Sequence, residues 1–201
     1  WSQLLLYPTV IGVDPWYHQN VTLKIIEFAT IPDGGYSHLP LFHLIIAINS
    51  LFLDLNYKIA AMFSVSIAQI VCNVLFIYLL GIFTTKNNRV GLFSALMVIL
   101  ADHHIYMSYW SIPNGFAAVI IPIVLYLILK KKSKARIERI FIILLLLLAL
   151  IFAHSITSIC MSILLISMWL LSEGHNFCVN NKKTEISIIL PVFYISAMFT
   201  W

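Results

Sequence analysis

Two short acidic stretches carry most of the groups in this chain that could act on a substrate. Gly12-Val13-Asp14-Pro15-Trp16-Tyr17-His18 sets a carboxylate four residues before an imidazole, with two aromatic rings between them. Asp102-His103-His104 sets a second carboxylate beside two imidazoles, and Tyr106, Tyr109 and Trp110 follow it. A third polar stretch, His154-Ser155-Ile156-Thr157-Ser158, interrupts an otherwise apolar run. An ionised aspartate can take a proton from an attacking group, and an imidazole can offset charge on a leaving group. Asp14 and Asp102 are therefore the catalytic candidates. Trp16, Tyr17, His18, His103, His104 and His154 are the candidates for contact with substrate.

Each of these residues also has a plainer reading. Asp14 stands before Pro15, where a carboxylate can cap a helix by accepting from free backbone N–H groups and Pro suits the first helical position. The cap and the functional carboxylate are not exclusive. Acids and histidines at a membrane boundary are often only solvated. A metal reading starts from Asp14 and His18, with His103 or His104 added. Adjacent side chains on a helix diverge by about 100°, so only one of that pair faces such a site. Zinc is the weaker choice; a hard cation such as Mg²⁺ or Mn²⁺, held by Asp14, Asp102 and a substrate phosphate, suits two carboxylates better.

The elements that must position these groups follow from composition. The chain has 201 residues, 61% hydrophobic and only 10% charged, with mean hydropathy +0.97. A soluble domain carries roughly a quarter charged residues, so the reading is a polytopic, all-α transmembrane bundle whose partner is the lipid bilayer. The formal charge of +4 sits in short loops between apolar runs, which marks topology and not nucleic-acid binding. Cys72, Cys160 and Cys178 lack metal-ligand spacing and read as small hydrophobes. A start at Trp1 without Met and a stop at Trp201 inside an apolar run suggest a single membrane domain truncated at both ends.

Along the chain, residues 1–11 read as the end of a first span. Residues 15–30 form an amphipathic surface helix, with Tyr17, Val21, Ile25 and Phe28 on one stripe and Asn20, Lys24 and Glu27 opposite. Ile31-Pro32-Asp33-Gly34-Gly35 ends it. Residues 39–54 give only about 24 Å of helix against a core of about 30 Å, so they read as a second interfacial helix. Its His43, Ser50 and Asp54 share one stripe, turned to water or to the protein interior. Spans are expected at 58–83, 90–108, 112–129, 137–153, 156–172 and 186–201. The fourth and fifth are separated at His154, because one helix from Ile140 to Leu171 would be about 48 Å long.

Counting crossings then puts loops 84–89, 130–139 and 173–185 on one side, holding ten of the twelve Lys and Arg. That side is cytoplasmic by the positive-inside rule. The outer face collects Asp14, Asp102 and the candidate histidines. Asp14 and Asp102 are expected to face each other across one outward cavity.

Asp14-Pro15-Trp16-Tyr17-His18 resembles the Asp-Pro-aromatic motif after the first span of oligosaccharyltransferase catalytic subunits, and more broadly of GT-C fold glycosyltransferases. Leu39-Pro40-Leu41-Phe42-His43-Leu44 is similar to the Pro-Pro-Leu segment of lipid-linked-sugar transferases of that fold. Asp102 matches the place of the family's second acidic loop, and His154 stands where relatives that transfer aminoarabinose carry a basic residue near the lipid phosphate. The resemblance covers roughly residues 1–172. It departs from the pattern at the second loop, where the residue two after Asp102 is His104 and not a second acid.

The resemblance implies transfer of a sugar from a polyprenyl-phosphate-linked donor to an acceptor at the outer face of a cell membrane. Asp14 serves there as base or orienting group, and Asp102 positions acceptor or metal. His154, with His103 or His104, balances charge on the leaving phosphate. Two rivals remain from the residues: a transporter or flippase for a lipid-linked precursor, and a non-catalytic polytopic subunit. The absence of an internal repeat and the placing of the acids at segment ends favour the enzyme.

Overall fold

A computed structural model describes residues 6–130, 136–179 and 187–201, apart from the side chains of His103, Arg136 and Val179. The described residues are helical, with no strand among them. Helix α1 (Val13–Phe28) and α2 (Leu41–Leu53) precede a long α3 (Tyr57–Thr85). Helices α4 (Asn88–Leu100), α5 (Asp102–Tyr109), α6 (Pro113–Leu129), α7 (Arg136–Ala153), α8 (Ser155–Val179) and α9 (Ile189–Thr200) follow. The expected end of a first span at 1–11 and the loops at 130–139 and 173–185 lie partly outside the described residues.

Two helices, Tyr57–Thr85 and Ser155–Cys178, are long and apolar enough to cross a membrane. Leu41–Leu53, Asn88–Leu100, Pro113–Leu129 and Ile189–Thr200 are apolar but shorter. The expected helix over 90–108 is two helices, because the backbone turns extended at Ala101. In the other direction α8 runs on to Val179, so the expected loop at 173–185 begins as helix.

Two apolar clusters hold the bundle. The larger joins α6, α7, α8 and α9 through Ala117, Val124, Leu147, Leu150, Leu165 and Tyr194. The smaller joins Val10, Phe42 and Ile46 to Tyr57, Ala60 and Val65 at the start of α3, and Phe116 of α6 touches both. Helices α3 and α4 approach at Gly81 and Gly91: a Cβ on Gly81 would lie 2.9 Å from the Gly91 Cα. Only small residues let two backbones come so close.

Within α3, Met62–Ser66 widens to a π turn. At its last residue the Ser66 and Ser111 hydroxyls meet at 2.6 Å, and just beyond it buried Gln69 donates to the Met107 carbonyl at 3.0 Å. These bonds tie α3 to the two ends of the segment that carries α5 into α6. The π turn and the polar contacts therefore set where α5 lies.

Between α7 and α8 the helix breaks at His154 without Gly or Pro. The sequence supplies another device. The Thr157 N–H donates to His154 Nδ1 at 3.3 Å, so the imidazole occupies the place of a helix cap. The Ser158 hydroxyl lies 2.9 Å from the Leu150 carbonyl and 2.9 Å from the His154 carbonyl, adding a second partner to carbonyls that already accept the His154 and Ser158 N–H groups and so bridging the two helix ends. A cluster of hydroxyls beside an imidazole thus ends one helix and starts the next.

Candidate functional site

Helix α1 starts differently from the Asp-Pro expectation. Its cap is Gly12, at φ +96°, with no side-chain capping bond, and Asp14 lies inside the first turn. Asp14 is therefore not the cap; its carboxylate instead sits where the helix dipole favours negative charge. Gly12 is required twice over. The left-handed backbone disfavours any side chain, and an added Cβ would lie 2.5 Å from Cζ2 of Trp110. The indole of Trp110 covers this turn and packs on Tyr106, with ring centroids 4.3 Å apart. The start of α1 and the end of α5 consequently meet, and Tyr106 lies within the electrostatic reach of Asp14.

The buried face of α1 is Pro15, His18, Thr22 and Ile25. This corrects the expected stripe of Tyr17, Val21, Ile25 and Phe28, of which Tyr17 and Phe28 are exposed. Polar residues can face inward here because they are paired. The Thr22 hydroxyl donates to the His18 carbonyl at 2.9 Å, and His18 Nδ1 shares a hydrogen bond with His43 Nε2 of α2 at 3.0 Å. Tyr36, from the segment joining α1 to α2, sets its ring edge-on to both imidazoles, at 4.8 Å from His18 and 5.3 Å from His43. Phe42 closes the other side.

Burial makes this pair neutral. It pushes His18 down to about 4, opposed by the nearby Asp14 carboxylate and reinforced by His154. It pushes His43 down to about 3, with His18 adding to the effect. Tyr36 is raised by burial, then by Tyr17 and by Asp14. Asp14 thus reaches both His18 and Tyr36 electrostatically, and His154 reaches His18, although these groups come from three separate parts of the chain.

His154 is anchored through Thr157. Its Nδ1 lies 2.9 Å from the Thr157 hydroxyl, and that hydroxyl donates to Asn114 Oδ1 of α6 at 3.1 Å. Trp16 and Tyr17 are about half exposed. Tyr17 and Tyr36 also line a cavity of about 100 Å³ with Asn20, Lys24, Asp33 and Gly34. The members of the second loop are less gathered. Asp102 begins α5 and is exposed, one helical turn (about 6 Å of rise) before Tyr106. His104 turns to α3, its Nδ1 accepting from Asn73 at 3.3 Å. The His103 side chain lies outside the described residues.

Among the described residues, no group of three or more His, Cys, Asp or Glu comes together to hold a metal ion. Asp14 and Asp102 thus do not gather a further protein ligand of that kind, and no step below passes through a cation. The arrangement offers one exposed carboxylate, Asp14, beside neutral imidazoles and phenols that can donate hydrogen bonds. Tyr36, Asn114, Thr157 and Trp110 belong to this neighbourhood and were not foreseen as site residues. The edge-on packing of Tyr36 needs the α1–α2 fold, and no spacing announces it; the Thr157 that follows His154 by three was the one visible hint. No family model, curated protein or solved structure matches this chain.

Proposed function

We propose that the chain is part of a multi-pass membrane glycosyltransferase of the GT-C kind, which draws a sugar from a polyprenyl-phosphate-linked donor at the outer face of a cell membrane. The observation that carries this reading is that Asp14 lies within electrostatic reach of His18, Tyr36 and Tyr106, and His18 within reach of His154, from separate segments. A carboxylate beside neutral donors matches the needs of the reaction. Asp14 takes the proton of the acceptor's attacking group as its new bond to the sugar forms. The bond from sugar to phosphate oxygen breaks, and its electron pair stays on the phosphate. His18 and His154 donate to those oxygens as charge develops there. The prenyl tail remains in the bilayer, against an exterior where Phe52, Phe63 and Leu75 are exposed.

The test is Asp14→Asn in the intact protein, supplied with a polyprenyl-diphosphate sugar. Asn keeps the shape but cannot take the proton, so transfer falls at least about a hundredfold. Stability changes little, because a first-turn carboxylate contributes only about 0.3–1 kcal/mol through the helix dipole. Near-normal transfer with unchanged thermal stability removes Asp14 from the chemistry and the enzyme reading with it.

The helix break at His154 favours a second reading, a carrier for the same lipid-linked precursor, since carriers bind at broken helices. The two part on one product. A carrier delivers the donor to the opposite leaflet with its sugar–phosphate bond intact, and the transferase releases the polyprenyl phosphate.

A further inference from the structure

The hydrogen bond between His18 and His43 joins rings that are 4% and 0% exposed, so the location of its proton matters. A neutral imidazole carries one N–H and one bare nitrogen. If His18 donates from Nδ1, His43 accepts at Nε2 and must carry its own proton on Nδ1. That Nδ1 is buried with no hydrogen-bond partner. An N–H buried away from every acceptor is among the rarest features of native proteins and forfeits its full hydration. If His43 donates from Nε2 instead, its Nδ1 is a bare lone pair, and no proton is stranded. His18 then accepts at Nδ1 and holds its own proton on Nε2, which, unlike His43 Nδ1, is not a buried atom without a partner, although the ring as a whole is 4% exposed.

We propose that His43 is a positioning residue that locks His18 in its Nε2–H tautomer, making His18 a fixed, neutral hydrogen-bond donor for a phosphoryl oxygen of the substrate. This deepens the transferase reading and rests on it for the identity of the ligand; the tautomer itself rests on the geometry alone. The other groups around the pair are consistent with a neutral donor. The rings of Tyr17, Tyr36 and Phe42 surround His18, and Asp14 and His154 reach it through space. Burial keeps both imidazoles uncharged at neutral pH. A donor of this kind polarises an oxygen without giving up its proton, and His18 cannot act as a base through Nε2. Asp14 is left as the base of the pair.

The proposal is tested by nitrogen NMR of ¹⁵N-histidine-labelled protein in lipid nanodiscs near pH 7, with His18 assigned by loss of its signals in His18→Gln. The expected result is a proton on Nε2 of His18, and a scalar coupling across the bond from the protonated His43 Nε2 to His18 Nδ1. His43→Phe keeps a ring of similar size without a donor, so His18 shifts to a mixture of tautomers. If that variant does not fold, His43→Met is read in the same way, and the coupling in the unaltered protein still identifies the donor. A proton on His18 Nδ1 in the unaltered protein overturns the proposal. So does a His18 tautomer that is unchanged when His43 is replaced. Neither readout needs a sugar donor or a transfer assay, so failure here is distinct from failure of the transferase reading.

Discussion

Acid acts on this fold first through the His18–His43 pair. Each ring has an ordinary value of 6.5 when exposed, and burial lowers them to about 4 and about 3 in the fold. Well above pH 6.5 both are neutral whether the chain is folded or not, and the pair carries no penalty. As pH falls through 6.5, the unfolded chain takes up protons that the folded one refuses, and stability declines until the folded values are passed. Each unit of depression is equivalent to about 1.4 kcal/mol. Thermal unfolding in detergent is therefore expected to fall between pH 7 and pH 4, and a His18→Phe/His43→Phe variant that folds should show a flatter profile. A rise in stability on acidification would contradict a neutral buried pair. The sequence made His18 visible as a site residue through its spacing from Asp14, and it placed His43 on a stripe turned to water or to the protein interior. It could not pair the two, because they lie 25 residues apart and their contact is made only when α1 packs on α2. The cap at Asp14 failed for a local reason: Gly12 can adopt the positive φ that starts the helix two residues earlier.

The helices obey a length argument where hydropathy changes and escape it where it does not. The long run from Ile140 to Leu171 had to break, and His154 with its hydroxyl neighbours was the polar point available. The break at Ala101 was invisible, since the sequence there has neither Gly nor Pro and only Asp102 hints at a new helix start. The extension of α8 past Glu173 shows the converse, that a lone acid does not stop a helix. Gly81 and Gly91 gave no sequence signal beyond their type, since ten residues and a turn separate them. Their contact is nevertheless close, with a Cβ on Gly81 lying 2.9 Å from the Gly91 Cα. Gly81→Leu should force α3 from α4, at a cost of about 1–3 kcal/mol, as overpacked cores show. Gly174→Leu is the control, because an added Cβ there meets nothing within 4 Å. Equal thermal stability for the two variants would mean that the α3–α4 contact is not tight.

At the level of the whole chain, charge and apolar surface agree with a membrane setting. Ten of the twelve basic residues fall in three short stretches, and large apolar side chains such as Phe52, Leu92, Phe141 and Phe177 stand exposed. Helix α3 has 29 residues, about 43 Å of rise, which exceeds a hydrocarbon core of about 30 Å and permits a tilted crossing. Its two ends then lie on opposite faces, with Asp14, Tyr36 and the His18–His43 pair belonging to the end that begins at Tyr57. Native Cys72, Cys160 and Cys178 are free, so the test starts from a variant with all three changed to Ala. Gly35→Cys adds a thiol where a Cβ meets nothing within 4 Å, and Thr85→Cys adds one to an exposed position at the far end of α3. In intact cells an impermeant thiol reagent is expected to label residue 35 and to reach residue 85 only after the membrane is opened. Labelling of both from outside would mean that α3 does not cross, and labelling of residue 85 alone would turn the site to the cytoplasm. The second result excludes a donor drawn from the outer leaflet, because the carboxylate of Asp14 and the phosphate it works beside must share one aqueous face.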